Sequence, residues 1–206
     1  MKNNNHFAEA IESTLHNFVA QSWHWDAAPP FGSLVIAHAG TRTIFGIVHH
    51  VQTGSADSTH RPIAYRKTEE ELKRDQPQIF EFLQTMFSCT VVGYQDKGRT
   101  LYMVHPEPIK IHTMIRLAND SEYKDFVACD HYLSLLFGSG STITSGDELF
   151  LSLLRHQAEL GILNEHKLDQ LITSFCMLTN NDYVRLKLLL QRIESFYHPT
   201  KNSITV

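Results

Sequence analysis

The sequence predicts an α+β protein: a small antiparallel β-barrel followed by a C-terminal α-helical region. Three observations predict it. Pro29 to Val51 reads as two apolar strands hinged at Gly40, and the second strand is apolar on both faces. Further short strands, separated by turn residues, follow it up to about residue 117. After Ala118 the periodicity changes to helical, with cap residues at regular intervals. The barrel is assigned to residues 8–117 and the helical region to residues 119–198.

Residues 1–6 are polar. Between residues 7 and 25, Phe7, Ile11, Leu15, Phe18, Val19 and Trp23 fall at helical spacing, which locally favours an amphipathic helix. The run Phe18 to Trp25 also reads as a strand, with Leu15-His16-Asn17 as its turn. Ala27-Ala28-Pro29-Pro30 ends any helix there. On the strand after Gly40, Phe45, Ile47, His49 and Val51 are expected on one face, and Ile44, Val48 and His50 on the other. Gly46 in mid-strand predicts a bulge or a sharp bend.

Gln52 to His60 reads as a polar loop, and Arg61 to Tyr65 as a short extended segment. Thr68-Glu69-Glu70-Glu71 matches a capping box, with Lys73 and Arg74 nearer the helix C-terminus. Pro77 restarts a helix as its first residue, with Ile79, Phe80, Phe82, Leu83 and Phe87 on its buried side. Thr90 to Tyr94 and Leu101 to His105 are expected strands around a turn at Gln95-Asp96-Lys97-Gly98. Ile109 to Ile115 is the expected last strand.

In the C-terminal part, Asn119 to Glu122 starts a helix carrying Tyr123, Phe126 and Val127. Tyr132, Leu133, Leu135 and Leu136 follow. Gly138-Ser139-Gly140-Ser141-Thr142 is a linker. Ser145 to Glu148 reads as a second capping box, for a helix stopped by Gly161. Asn164 and then Thr179 to Asp182 cap two more helices. Val184, Leu186, Leu189, Leu190, Ile193 and Phe196 form the apolar side of the last one, and Pro199 ends it.

At 206 residues, 42% hydrophobic and 19% charged, the chain is globular and needs no disulfide or metal staple. A formal charge of −4 argues against non-specific nucleic-acid binding as its main work, because that binding rests on cations neutralising phosphates. Cys89, Cys129 and Cys176 are odd in number and dispersed, as in a reducing compartment. No signal peptide and no run long enough to span a bilayer is read, so a cytoplasmic protein that does not enter membranes is expected.

No residue pattern identifies a catalytic site, a metal or a cofactor. His49 and His50 are strand neighbours that face apart. Cys129-Asp130-His131 lacks a second ligand pair at zinc-finger spacing. His24-Trp25-Asp26 reads as a strand end. Glu69, Glu70 and Glu71 fan out around a helix and complement its dipole. Gly138-Ser139-Gly140 lacks the lysine of a phosphate-binding loop. Lys97 and Arg99 at a turn, with Tyr94 and Tyr102 nearby, form a candidate nucleic-acid patch of the basic and aromatic kind that small barrels use for single strands.

An ordered set of segments carries a wider resemblance: Phe18 to Gln21, Pro29 to Val35, Phe45 to Val48, Arg61 to Ala64, Gln76 to Ile79, Val91 to Tyr94, and Pro108 to His112. Through these, residues 18–116 resemble the HAS-barrel, the small β-barrel at the N-terminus of HerA-type DNA-translocating ATPases, which is related to the N-terminal barrel of rotary ATP synthase subunits. The match is nearer to stand-alone HAS-barrel proteins. The resemblance implies strand for residues 17–24 and leaves 7–14 open between strand and helix. It implies a non-enzymatic assembly module that contacts a protein partner, a HerA-type hexameric ATPase or another copy of itself. No phosphate-binding loop follows the barrel, so ATP hydrolysis is not carried over. The alternative is a nucleic-acid-associated accessory protein that binds through the Tyr94, Lys97, Arg99 and Tyr102 patch.

Overall fold

The computed structural model describes residues 5–57, 62–138, 143, 145–179 and 182–197. Seven strands and seven helices occur among them. The strands are β1 (His6–Ser13), β2 (Asn17–Ser22), β3 (Leu34–Ala39), β4 (Arg42–Ser55), β5 (Leu83–Asp96), β6 (Arg99–Leu101) and β7 (Met114–Leu117). The helices are α1 (Glu69–Asp75), α2 (Gln78–Glu81), α3 (Asp120–Phe126), α4 (Tyr132–Phe137), α5 (Gly146–Glu159), α6 (Glu165–Leu178) and α7 (Tyr183–Ile193). The fold is α+β, with all strand pairings antiparallel.

Six strands close into a barrel. The order β2-β1-β7-β3-β4-β5 returns on itself through a β2–β5 pairing, and β6 extends the sheet beyond β5. Closure leaves the six strands without open edges over their paired lengths. A narrow barrel leaves little room, and its interior mixes small and large residues. Ala8, Ala10, Ala20 and Ala37 sit beside Phe18, Phe87, Ile44, Val48 and Ile115.

The outer face of β3, β4 and β5 is also buried. Leu34, Ile36, Phe45, Ile47 and Val92 pack against α3 to α7 through Phe126, Leu133, Leu149 and Leu153, among others. This explains why β4 is apolar on both sides. Gly40, at φ 62°, opens the two-residue turn between β3 and β4, as a type II′ turn requires of its first central residue.

Residues 7–14, open in the sequence between strand and helix, are strand β1 as far as Ser13, and several other expectations are corrected. Ala8 and Ala10 point inward at period two, and Thr14 closes a hairpin onto Asn17. Strand β4 runs to Ser55, through the first four residues of the expected loop, and β5 begins at Leu83, where a helix was expected. The two pair with each other from Thr43 to Ser55. Helix α2 is therefore only four residues long, and Phe87 lies inside the barrel. A second register shift, between Val48 and His50, re-phases β4, so Val51 packs on the interior side and not beside Phe45 and Ile47. Strand β6 stops at Leu101. The last strand is β7, and residues 109–113 form a turn in which Thr113 N–H donates to the Lys110 carbonyl.

The caps of α1 and α3 are complete boxes, Thr68 with Glu71 and Asn119 with Glu122. The second expected box is not made, since Ser145 forms no side-chain cap. Its acids instead face α7. Asp147 accepts from Arg185 at 2.7 Å, and Glu148 accepts from Arg192 at 2.5 and 2.7 Å.

Candidate interaction surfaces

The β5–β6 turn places Lys97 at φ 48° and Gly98 at φ 78°, the pair of left-handed residues that a type I′ turn needs. Lys97 and Arg99 therefore project together from an exposed tip, and neither makes an ion pair among the described residues. The two tyrosines turn elsewhere. Tyr94 is buried at the barrel end, with its ring edge-on to His105 at 5.0 Å and its hydroxyl 3.7 Å from Met103 Sδ. Tyr102 packs on the helical side, and its hydroxyl donates to the Phe126 carbonyl at 2.6 Å. Burial, with Cys129 nearby, pushes the Tyr102 phenol above its ordinary range.

A residue that sequence reasoning missed joins this end. Arg42 pairs with Asp96 at 3.3 Å, reaches His105 Nε2 at 3.4 Å, and lies 5.8 Å from the Tyr94 ring centroid. The signal for it is register, because the β4–β5 pairing of Thr43 with Gln95 brings the two hairpin tips together.

The other flagged residues do not converge. His49 is half-buried at the β4 register shift, and His50 is exposed. Burial, then the neighbouring His50, lowers the His49 pKa. Asp130 accepts from Ser174 at 2.5 Å, while the His131 ring lies edge-on to Tyr102. Trp25 rests on Phe80 with His24 and Asp26 exposed beside it. Glu71 completes its cap and Glu69 pairs with Lys73 at 2.6 Å. Gly138 is the C-cap of α4, and Ser139 and Gly140 lie outside the described residues. No three His, Cys, Asp or Glu among the described residues are arranged to hold a metal.

Where the β2–β3 loop meets α5, the seam is tight. Ser152 Oγ donates to the Phe31 carbonyl at 2.8 Å, and a Cβ on Gly32 would fall 2.5 Å from that same oxygen. A cavity of about 310 Å³ beside this contact is lined by Phe31, Leu34, Tyr123, Arg155, His156 and Glu159 among others. The Tyr123 ring meets the His156 imidazole edge-on at 4.4 Å. Among the described residues its buried hydroxyl has no hydrogen-bond partner, and burial raises its pKa. Arg155 pairs with Glu159 at 3.1 Å.

Two surfaces expose large apolar groups. On α7, Tyr183, Val184 and Leu188 are 77%, 68% and 58% exposed, while Leu189 and Ile193 on the opposite side are buried. On the barrel, Trp23, just past β2, and Met114, the first residue of β7, are 48% and 50% exposed, while Arg116 further along β7 pairs with Glu122 of α3 at 2.7 Å. No helix among the described residues is long and apolar enough to cross a membrane. Compared with known proteins, the chain matches no family model and no curated protein.

Proposed function

We propose that this chain is a non-enzymatic interaction module that docks through its barrel or its helices onto a protein partner or a second copy of itself. The observation that carries the reading is α7. A helix with one apolar side buries that side and is finished. Helix α7 buries Leu189 and Ile193 and still presents Tyr183, Val184 and Leu188 to solvent. Contiguous exposed apolar groups of this size mark association surfaces. The resemblance of residues 18–116 to the HAS-barrel supplies a candidate partner class, a HerA-type hexameric ATPase.

The test compares the wild-type chain with a Val184→Ser/Leu188→Ser double variant, in sedimentation and in affinity purification from the native cell. Expected is a complex, with a second copy or with a defined protein, that survives nuclease and is lost in the variant. A complex that nuclease dissolves, and that weakens steeply with salt, would favour nucleic-acid binding through the Lys97 and Arg99 tip instead. No complex of either kind would overturn the reading.

A further inference from the structure

The part of the barrel wall where Trp23 and Met114 are exposed carries a carboxylate held between two side chains. Glu9, on β1, is in register with Gln21 on β2 and with Met114 on β7. Its Oε1 accepts from the Trp23 indole N–H at 3.1 Å, and its Oε2 lies 3.1 Å from His112 Nδ1. The imidazole is brought there by a turn in which His112 takes φ 65°, a left-handed conformation that a residue with a side chain seldom adopts. That turn is pinned by His112 N–H donating to the Ala10 carbonyl at 2.9 Å and by Thr113 bonding back to Lys110. No lysine or arginine among the described residues pairs with Glu9.

We infer that this face binds a protein partner through an arginine or lysine side chain set among apolar residues. This rests on the interaction-module reading and narrows it to one face and one chemistry. Each Glu9 oxygen already has one neighbour, and a carboxylate keeps further lone pairs for an incoming cation. A guanidinium can meet such a carboxylate with two parallel hydrogen bonds. The half-exposed indole of Trp23 adds a π-face to which a cation is attracted. Tryptophan and methionine are also among the residues enriched where proteins meet. A second copy fits less well. A two-fold contact sets a patch against itself, bringing the Glu9 carboxylates of both copies to one interface. Nucleic acid would meet the carboxylate with its own negative charge.

The chain has two tryptophans, so its nuclear magnetic resonance spectrum holds two indole N–H signals. Trp23 reports the face, and Trp25, stacked on Phe80, serves as internal reference. The probe is the tripeptide acetyl-Leu-Arg-Leu-amide, titrated against the peptide with citrulline, which has nearly the same shape and no charge. Expected is a saturable shift of the Trp23 signal alone, about tenfold weaker with citrulline, and lost in Glu9→Gln. Glu9→Gln keeps an oxygen for the indole, and an unmoved Trp25 signal checks that the fold is intact. Equal response to both peptides, indifference to Glu9→Gln, or no shift at all overturns the inference. None of these results bears on the α7 variant, so the wider reading stands or falls by its own test.

Discussion

Gly46 shows how one residue decides whether the barrel closes. Its Cα points inward on β4, and a Cβ there would stand 2.8 Å from the Phe18 ring and 3.2 Å from Cys89 Cβ. Phe18 comes from β2, which pairs with β5 on the side away from β4, and is buried. The glycine therefore makes space for a ring that fills the narrow barrel. Gly46→Ala is expected to cost about 1–3 kcal/mol, the usual range for overpacking a filled core. Adding Phe18→Leu should recover part of that loss, since the ring is the group that clashes. Urea unfolding of the two single variants and the double variant measures the coupling. Strictly additive losses would mean that the clash is relieved elsewhere. The sequence marked Gly46 as a bulge or bend, but at the register shift between Phe45 and Gly46 the residue left over is Val92 of β5, since Phe45 pairs with Gly93 and Gly46 with Val91. The sequence did not show that Phe18 is the reason for the glycine, because that contact exists only once the β2–β5 pairing closes the barrel and brings β2 next but one to β4.

Among the elements, β4 and β5 depart most from what their residues suggest. Gln52 to Ser55 are polar and carry no strand pattern, and Leu83 to Phe87 have helical spacing. Each becomes strand because it pairs with the other, and pairing is a property of two segments that neither displays alone. The same holds for the Glu9 face. Glu9, Trp23 and His112 are ordinary in sequence, and they meet only through the β1–β2 and β1–β7 pairings. By contrast Lys97 and Arg99 were legible as a tip, because their turn is encoded locally. The second register shift in β4 has its own consequence. It leaves His49 half-buried beside His50, and burial holds its pKa below the ordinary 6.5. The folded state then resists protonation that the unfolded chain accepts. Stability from neutral His49 is complete above pH 6.5 and declines as pH falls from there through the lowered value. His49→Gln should flatten the slope of stability between about pH 7 and pH 5 relative to wild type. Urea midpoints across that range test this, and an unchanged slope would assign the pH dependence to other histidines.

At the scale of the molecule, the barrel and the C-terminal helices share one of the two cores. Phe45 is the clearest link, since it leaves β4 outward and its ring lies 4.8 Å from that of Phe126 on α3. Removing the helices would expose Leu34, Ile36, Phe45, Ile47 and Val92 together, so neither part has an independent reason to unfold first. Trp23 and Trp25 report on the barrel by fluorescence, and far-ultraviolet circular dichroism is weighted towards the helices. The Cys89 thiol gives a third probe. It is fully buried inside the barrel, its pKa is raised well above the ordinary value by that burial, and it should be inert to alkylation until the barrel opens. All three signals are expected to share one urea midpoint. Phe45→Ala should cost about 3–5 kcal/mol, as for other buried phenylalanines, and should lower the three midpoints by the same amount. If circular dichroism were instead lost first while Cys89 stayed protected, the helices would be a separable layer. The Phe45 contact would then be packing between two stable parts and not a shared core.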